Sequence, residues 1–186
     1  MNNLQSVKTF LSTRRSTPPA LLSAPFPSQE EIVAIAQMGL RVPDHKKLEP
    51  WRLVALQGET LAVLSKIVSS FVDEYQEDEA KAAKITELYE NAGCVIAMVY
   101  SPKQGAPEWE QHLSMGAVGV SLVNAAIAHG YGANWLSGFL SDCPEVLDFI
   151  GLEGHEELSG LIHIGTATSA PPERPRPDIT DKLTIL

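Results

Sequence analysis

Seven consecutive apolar residues, Cys94-Val-Ile-Ala-Met-Val-Tyr100, constrain this chain more than any other feature. The run has strand length and no polar alternation, which describes a strand covered on both faces. Two layers must therefore cover it, and helical patterns on either side can supply them. Leu4 to Thr13 reads as a short helix, and Arg14-Arg15-Ser16-Thr17-Pro18-Pro19 ends it because proline cannot continue a helix. Ser28 followed by Glu31 is a capping box opening a helix to about Leu40. Further helices are expected from Gly58 to Tyr75, Asp78 to Glu90, Pro107 to His129 and Pro144 to Gly151, with Gly130 and Gly151 as C-terminal stops. Trp51 to Leu56, Ala133 to Ser137 and Leu158 to Thr166 read as the remaining strands. Strands and helices interleave irregularly, with few clean βαβ units. The expectation is an α/β layered sandwich with a mixed sheet, built as one domain over residues 1–186.

Charge and composition narrow the function. A formal net charge of −9 argues against generic nucleic-acid binding and against docking on an anionic membrane surface. The start of the chain lacks a signal-peptide pattern, and no apolar run reaches the ~18 residues of a membrane span. The cytoplasm is the expected compartment, and Cys94 and Cys143 are expected as thiols rather than a disulfide. His45, His112, His129, His155 and His163 show no metal-ligand spacing, so no metal is expected. His163, inside an apolar run, reads as a core histidine, and the acidic stretch from Glu74 to Glu79 reads as a solvated face.

Three segments could carry chemistry. Arg14-Arg15-Ser16 sets two guanidiniums and a hydroxyl just past a helix, a set suited to a phosphate monoester. It also reads as a plain basic helix end. Arg41 to Pro50 concentrates Arg41, Asp44, His45, Lys46 and Lys47 in a loop closed by proline, where Arg41 and His45 could donate to a heteroaromatic ring; an ordinary charged loop looks the same. Gly130 to Phe139 frames a short aromatic strand with three glycines, which allows backbone to approach a planar ligand closely. A helix cap followed by a core strand has the same pattern.

In combination these segments resemble the FMN-binding nitroreductase-like family. Arg14-Arg15-Ser16 matches its early phosphate motif, Val42 to Trp51 resembles its loop-to-strand motif ending in Pro-Trp, and Gly130 to Phe139 matches Gly-x-Gly-x-x-Trp-x-x-Gly-Phe. Arg41 to Lys46, Trp109-Glu110-Gln111 and Ile164-Gly165-Thr166 resemble the short members of that family in particular. The resemblance covers nearly the whole chain.

The resemblance implies an α+β nitroreductase-like fold: a mixed, mostly antiparallel sheet flanked by helices, with a C-terminal arm, residues 171–186, exchanged with a partner. It implies a cytoplasmic homodimer with tightly bound, non-covalent FMN at the interface and NAD(P)H as co-substrate. The activity is ping-pong hydride transfer to a nitroaromatic, quinone or similar small-molecule acceptor. A flavin-binding sensor or carrier without turnover is the alternative. The implied cofactor contacts are Arg14, Arg15, Ser16, Arg41, His45, Trp135, Leu136, Ser137 and Gly138, with nicotinamide contacts at Ala125, Ala126, Ile127, Ala128, His129 and Gly130. No side chain is expected to act as catalytic acid or base, because the flavin carries the redox chemistry. Near relatives carry arginine where this chain has Leu136, and a basic residue where it has Pro18; Arg174 or Arg176 is the candidate replacement for that lost charge. Met115, Val118, Leu122 and Ala126 form an apolar surface on the long helix that is expected to face a second subunit.

Overall fold

A computed structural model describes residues 3–75 and 78–186. Gln76 and Glu77, part of the acidic stretch expected to be solvated, lie outside the described residues; Glu74, Asp78 and Glu79 are exposed. The helices are α1 (Asn3–Thr13), α2 (Gln29–Gly39), α3 (Glu59–Tyr75), α4 (Glu79–Glu90), α5 (Glu108–Ala128) and α6 (Pro144–Ile150). The strands are β1 (Leu22–Ser23), β2 (Trp51–Gln57), β3 (Cys94–Tyr100), β4 (Gly132–Leu136) and β5 (Glu157–Ala167). The capping box forms as the sequence requires: Ser28 Oγ accepts from the Glu31 N–H at 3.2 Å, and Glu31 returns a carboxylate to the Ser28 N–H at 2.8 Å. The two-residue β1 and the short 3-10 turns have no sequence signal of comparable strength.

The sheet runs β1-β5-β3-β2, with β4 also on β5. Every pairing among the described residues is antiparallel, so the mostly antiparallel sheet implied by the resemblance contains no parallel pair. All seven residues of β3 are buried, as its unbroken apolar run demands. Val95, Ala97 and Val99 face α3, α4 and α6, while Ile96, Met98 and Tyr100 face α2 and α5. Each fully buried aliphatic side chain contributes about 1.5–3 kcal/mol. The two thiols are free, and burial pushes that of Cys94 up to about 12. Among the described residues no helix is long and apolar enough to cross a membrane.

One expectation for α5 fails. Met115, Val118, Leu122 and Ala126 are at most 3% exposed and pack against β3, β4, β5 and α2 of the same chain. A helix lying on a sheet must bury its continuous apolar face there first. What α5 leaves uncovered is the opposite stripe of Trp109, Leu113 and Val120, matched on α1 by Leu4, Val7 and Leu11.

Candidate functional site

The outer edge of β4 is where the sequence-predicted residues begin to converge. The Thr17 N–H donates to the Ala133 carbonyl at 2.9 Å, and Asn134 Nδ2 donates to the Thr17 carbonyl at 3.2 Å. These bonds lay Arg14, Arg15 and Ser16 beside β4, although nearly 120 residues separate Thr17 from Ala133 in sequence. Since Ala133 turns its carbonyl to this edge, Trp135, two residues on, turns its backbone groups the same way. Ser137 and Gly138 follow, both exposed, and Gly138 has φ +132°, a conformation that favours glycine.

The basic cluster crowds like charges together. Arg14 Nη2 donates to Ser16 Oγ at 3.2 Å, but Arg14 Nε is buried with no hydrogen-bond partner. Burial, then the neighbouring Arg176 and Arg15, lower the pKa of Arg14. Arg15 Nη1 donates to the Pro172 carbonyl and lies 3.3 Å from Glu173 Oε1, while Arg176 Nη2 lies 3.0 Å from the same oxygen. Two guanidiniums therefore share the Glu173 carboxylate, Arg14 lies beside them, and its buried Nε has no partner among the described residues. A dianionic phosphate ester is the ligand chemistry that such a donor set fits. Sequence reasoning missed Glu173 and the docking role of Thr17. Of the two arm arginines raised there, Arg176 joins the cluster.

Trp135 belongs partly to the fold. Its indole packs where Gly119 of α5 and Gly160 of β5 leave room, and its Nε1 donates to the Ser159 carbonyl at 3.2 Å. A Cβ on Gly160 would lie 2.2 Å from that nitrogen, and Gly160 has φ +144°. The backbone of Trp135, more than its ring, is presented at the edge. Leu136 points to the opposite face of the sheet from Trp135, as strand alternation requires.

The loop of Arg41 and His45 lies elsewhere. His45 Nδ1 pairs with Glu110 Oε2 in the first turn of α5, Lys46 Nζ donates to the Gly105 carbonyl at 2.9 Å, and Arg41 is exposed. Asp44 accepts the Glu49 N–H at 2.6 Å, and the loop holds Lys46, Lys47 and Glu49 at φ between +49° and +59°. Such backbone persists only when surrounding bonds impose it. Glu110 lies nine residues before Gly119, about 13 Å along α5. Within one chain, this loop and the Arg14 cluster are separate.

The expected nicotinamide segment is also remote. Ala125 and Ala126 are buried in the core, His129 Nδ1 is turned to the Ala125 carbonyl at 3.0 Å, and Ile127 is half-buried. Ala128 and Gly130 are exposed but lie beyond the opposite end of β4 from Ser137, roughly 20 Å away at the rise of an extended strand. Within one chain this segment and the Ser137–Gly138 end of β4 are therefore at opposite ends of the strand.

Residues 11–166 match the Nitroreductase family, and the chain belongs to it. It is 29% identical over 159 residues to the Escherichia coli (strain K12) protein named "Putative NAD(P)H nitroreductase YdjA", covering 84% of this chain and 86% of that one. Its fold is that of a nitroreductase-like family protein from Bacillus cereus, with a TM-score of 0.83 at 24% identity over 100% of this chain and 98% of that one. It is also that of the FMN-dependent nitroreductase NfnB from Mycobacterium smegmatis, solved in complex with NADPH, with a TM-score of 0.81 at 15% identity over 98% and 99%.

Proposed function

We propose that this chain is an FMN-dependent NAD(P)H oxidoreductase that acts in the cytoplasm as a homodimer. The observation that carries the reading is the cluster of Arg14, Arg15 and Arg176 around Ser16, with a buried, unpartnered Arg14 Nε, on the edge of the glycine-framed strand β4. Arg14, Arg15, Ser16 and Arg176 hold the phosphate of FMN, and backbone groups from Trp135 to Gly138 orient its ring. The M. smegmatis neighbour's use of FMN and its NADPH complex support the assignment. Bound there, FMN supplies the hydride and electron chemistry, while the chain supplies position and charge. No side chain at this edge is set up as a general acid or base. The reaction is ping-pong: the nicotinamide nucleotide gives up its hydride and departs before a nitroaromatic, quinone or similar acceptor enters.

The second copy completes the site. Arg41 and His45 reach the ring from the partner subunit, since their own loop lies at the far end of α5. The exposed stripes Leu4, Val7, Leu11 and Trp109, Leu113, Val120 form the interface, and the arm 171–186 extends from the single domain onto the partner. Three measurements test the reading together: the visible spectrum of the purified protein, initial-rate patterns with NADH or NADPH and a quinone, and sedimentation. Yellow protein, parallel double-reciprocal lines and a dimer are expected. Colourless protein that does not take up added FMN would overturn it.

A further inference from the structure

Behind Ser137 and Gly138, on the face of β4 opposite Trp135, lies a cavity of about 170 Å³. Its wall is Ile85 and Leu88 of α4, Leu136 at the end of β4, Leu140 in the following turn, and Leu158 and Leu161 of β5. β5 bulges beside it, and the backbone of Gly160 forms part of its lining. Ile, Leu, Tyr, Ser and Gly line it, and no charged side chain does. A pocket of this kind strips water from whatever enters without offering a counter-charge, so it rejects ions. Cavities of about 150 Å³ with aliphatic walls accept a benzene-sized guest. This one matches that size, and it opens beside the two exposed residues that end β4.

We infer that this cavity is the subsite for one uncharged six-membered ring of the electron acceptor, with Leu136 as the residue that sets its preference. The inference rests on the oxidoreductase reading above and narrows it: a neutral single-ring acceptor is favoured over the same ring bearing a carboxylate. A cationic side chain at position 136 would reverse the discrimination by pairing with that carboxylate. Ile85 lies on α4, away from the proposed cofactor edge, and so reports on the cavity alone.

The test uses the FMN-loaded protein and two variants, Ile85→Trp to fill the cavity and Ile85→Ala to enlarge it. Binding of 4-fluorotoluene followed by fluorine NMR is the readout that needs no turnover. Filling is expected to weaken it by about tenfold or more. The KM for nitrobenzene should rise by a similar factor relative to that for 4-nitrobenzoate, while FMN content stays at the wild-type value. Enlargement should admit 1-fluoronaphthalene, which the wild type excludes. Should the filled variant fail to fold, the enlarged one still decides, since unchanged selectivity between the two fluorinated probes overturns the proposal. Loss of FMN on filling assigns the cavity to the cofactor and overturns it as well. Turnover by a protein that binds neither probe refutes the subsite alone, whereas probe binding without NAD(P)H-dependent turnover of any acceptor refutes the oxidoreductase reading and the acceptor role with it.

Discussion

Strands β3 and β4 are separated only by β5, yet they do opposite work. Every residue of β3 is buried, and its side chains alternate between two apolar layers. Strand β4 is held on one edge by β5 and, among the described residues, on the other by Thr17; beside it lie Arg14 Nε, without a partner among those residues, and exposed Ser137 and Gly138. Groups left unsatisfied in one chain are those available to a ligand or a partner. The centre of this sheet makes the fold, and its β4 rim carries the groups proposed to form the site.

Changing one residue at the centre should have the largest effect. Ile96→Asp places a carboxylate between β3 and the α2/α5 layer with no partner, and should remove more than about 4 kcal/mol of stability. Urea unfolding, or the soluble yield if the variant does not fold, measures this. A loss below 1 kcal/mol would mean that β3 is not the covered strand described here. At the rim the expectation reverses. Arg14→Ala with Arg15→Ala should cost FMN affinity by roughly 3–5 kcal/mol, a hundredfold or more, because charge-assisted bonds to phosphate contribute about 1.5–3 kcal/mol each. The melting temperature should hold, since the substitutions also relieve repulsion with Arg176. Fluorescence titration with FMN decides; undiminished affinity would place the phosphate elsewhere.

Acid should act on the centre before the rim. His163 is 2% exposed, its Nε2 lacks a partner, and burial lowers its pKa to about 4. An unfolded histidine titrates near 6.5, so between pH 6.5 and 4 the unfolded chain binds the extra proton and stability falls as pH drops, by about 3 kcal/mol at most. His163→Phe should flatten the stability profile in that window; a profile as steep as wild type would show that another group controls it. The buried Glu156 carboxylate acts lower. Arg52 donates to it from Nε at 2.9 Å and holds its pKa near 2, so its contribution is lost as pH falls from about 4.5 towards 2.

The smallest effect on unfolding should come from the arm. Ending the chain at Ala170 removes exposed residues, and should change stability by less than about 1 kcal/mol. Under the proposed function it also removes Arg176 and the arm's hold on the partner, so FMN content and the dimer fraction should fall together. A truncated protein that sediments as a dimer and stays fully flavinated would show that the rim is complete without it.

The sequence alone determined the apolar run of β3, the capped start of α2, the glycine stops after α5 and α6, and the three segments that resemble nitroreductases. Each is a local pattern: an alternation or its absence, a cap, a turn residue, a short motif. Only the tertiary structure decided which face of α5 went inward, because Met115 and Leu122 are as apolar as Leu113 and Val120, and the sheet chooses between them. Only it brought Glu173 and Arg176 to Arg15 and Arg14, and docked Thr17 on Ala133, since those encounters are set by the path of the whole chain. Only it parted Ala125 to Gly130 from Ser137 by the length of a strand, and opened a cavity beside Leu136, where α4, β5 and the turn after β4 meet around space that no neighbouring residue in sequence can report.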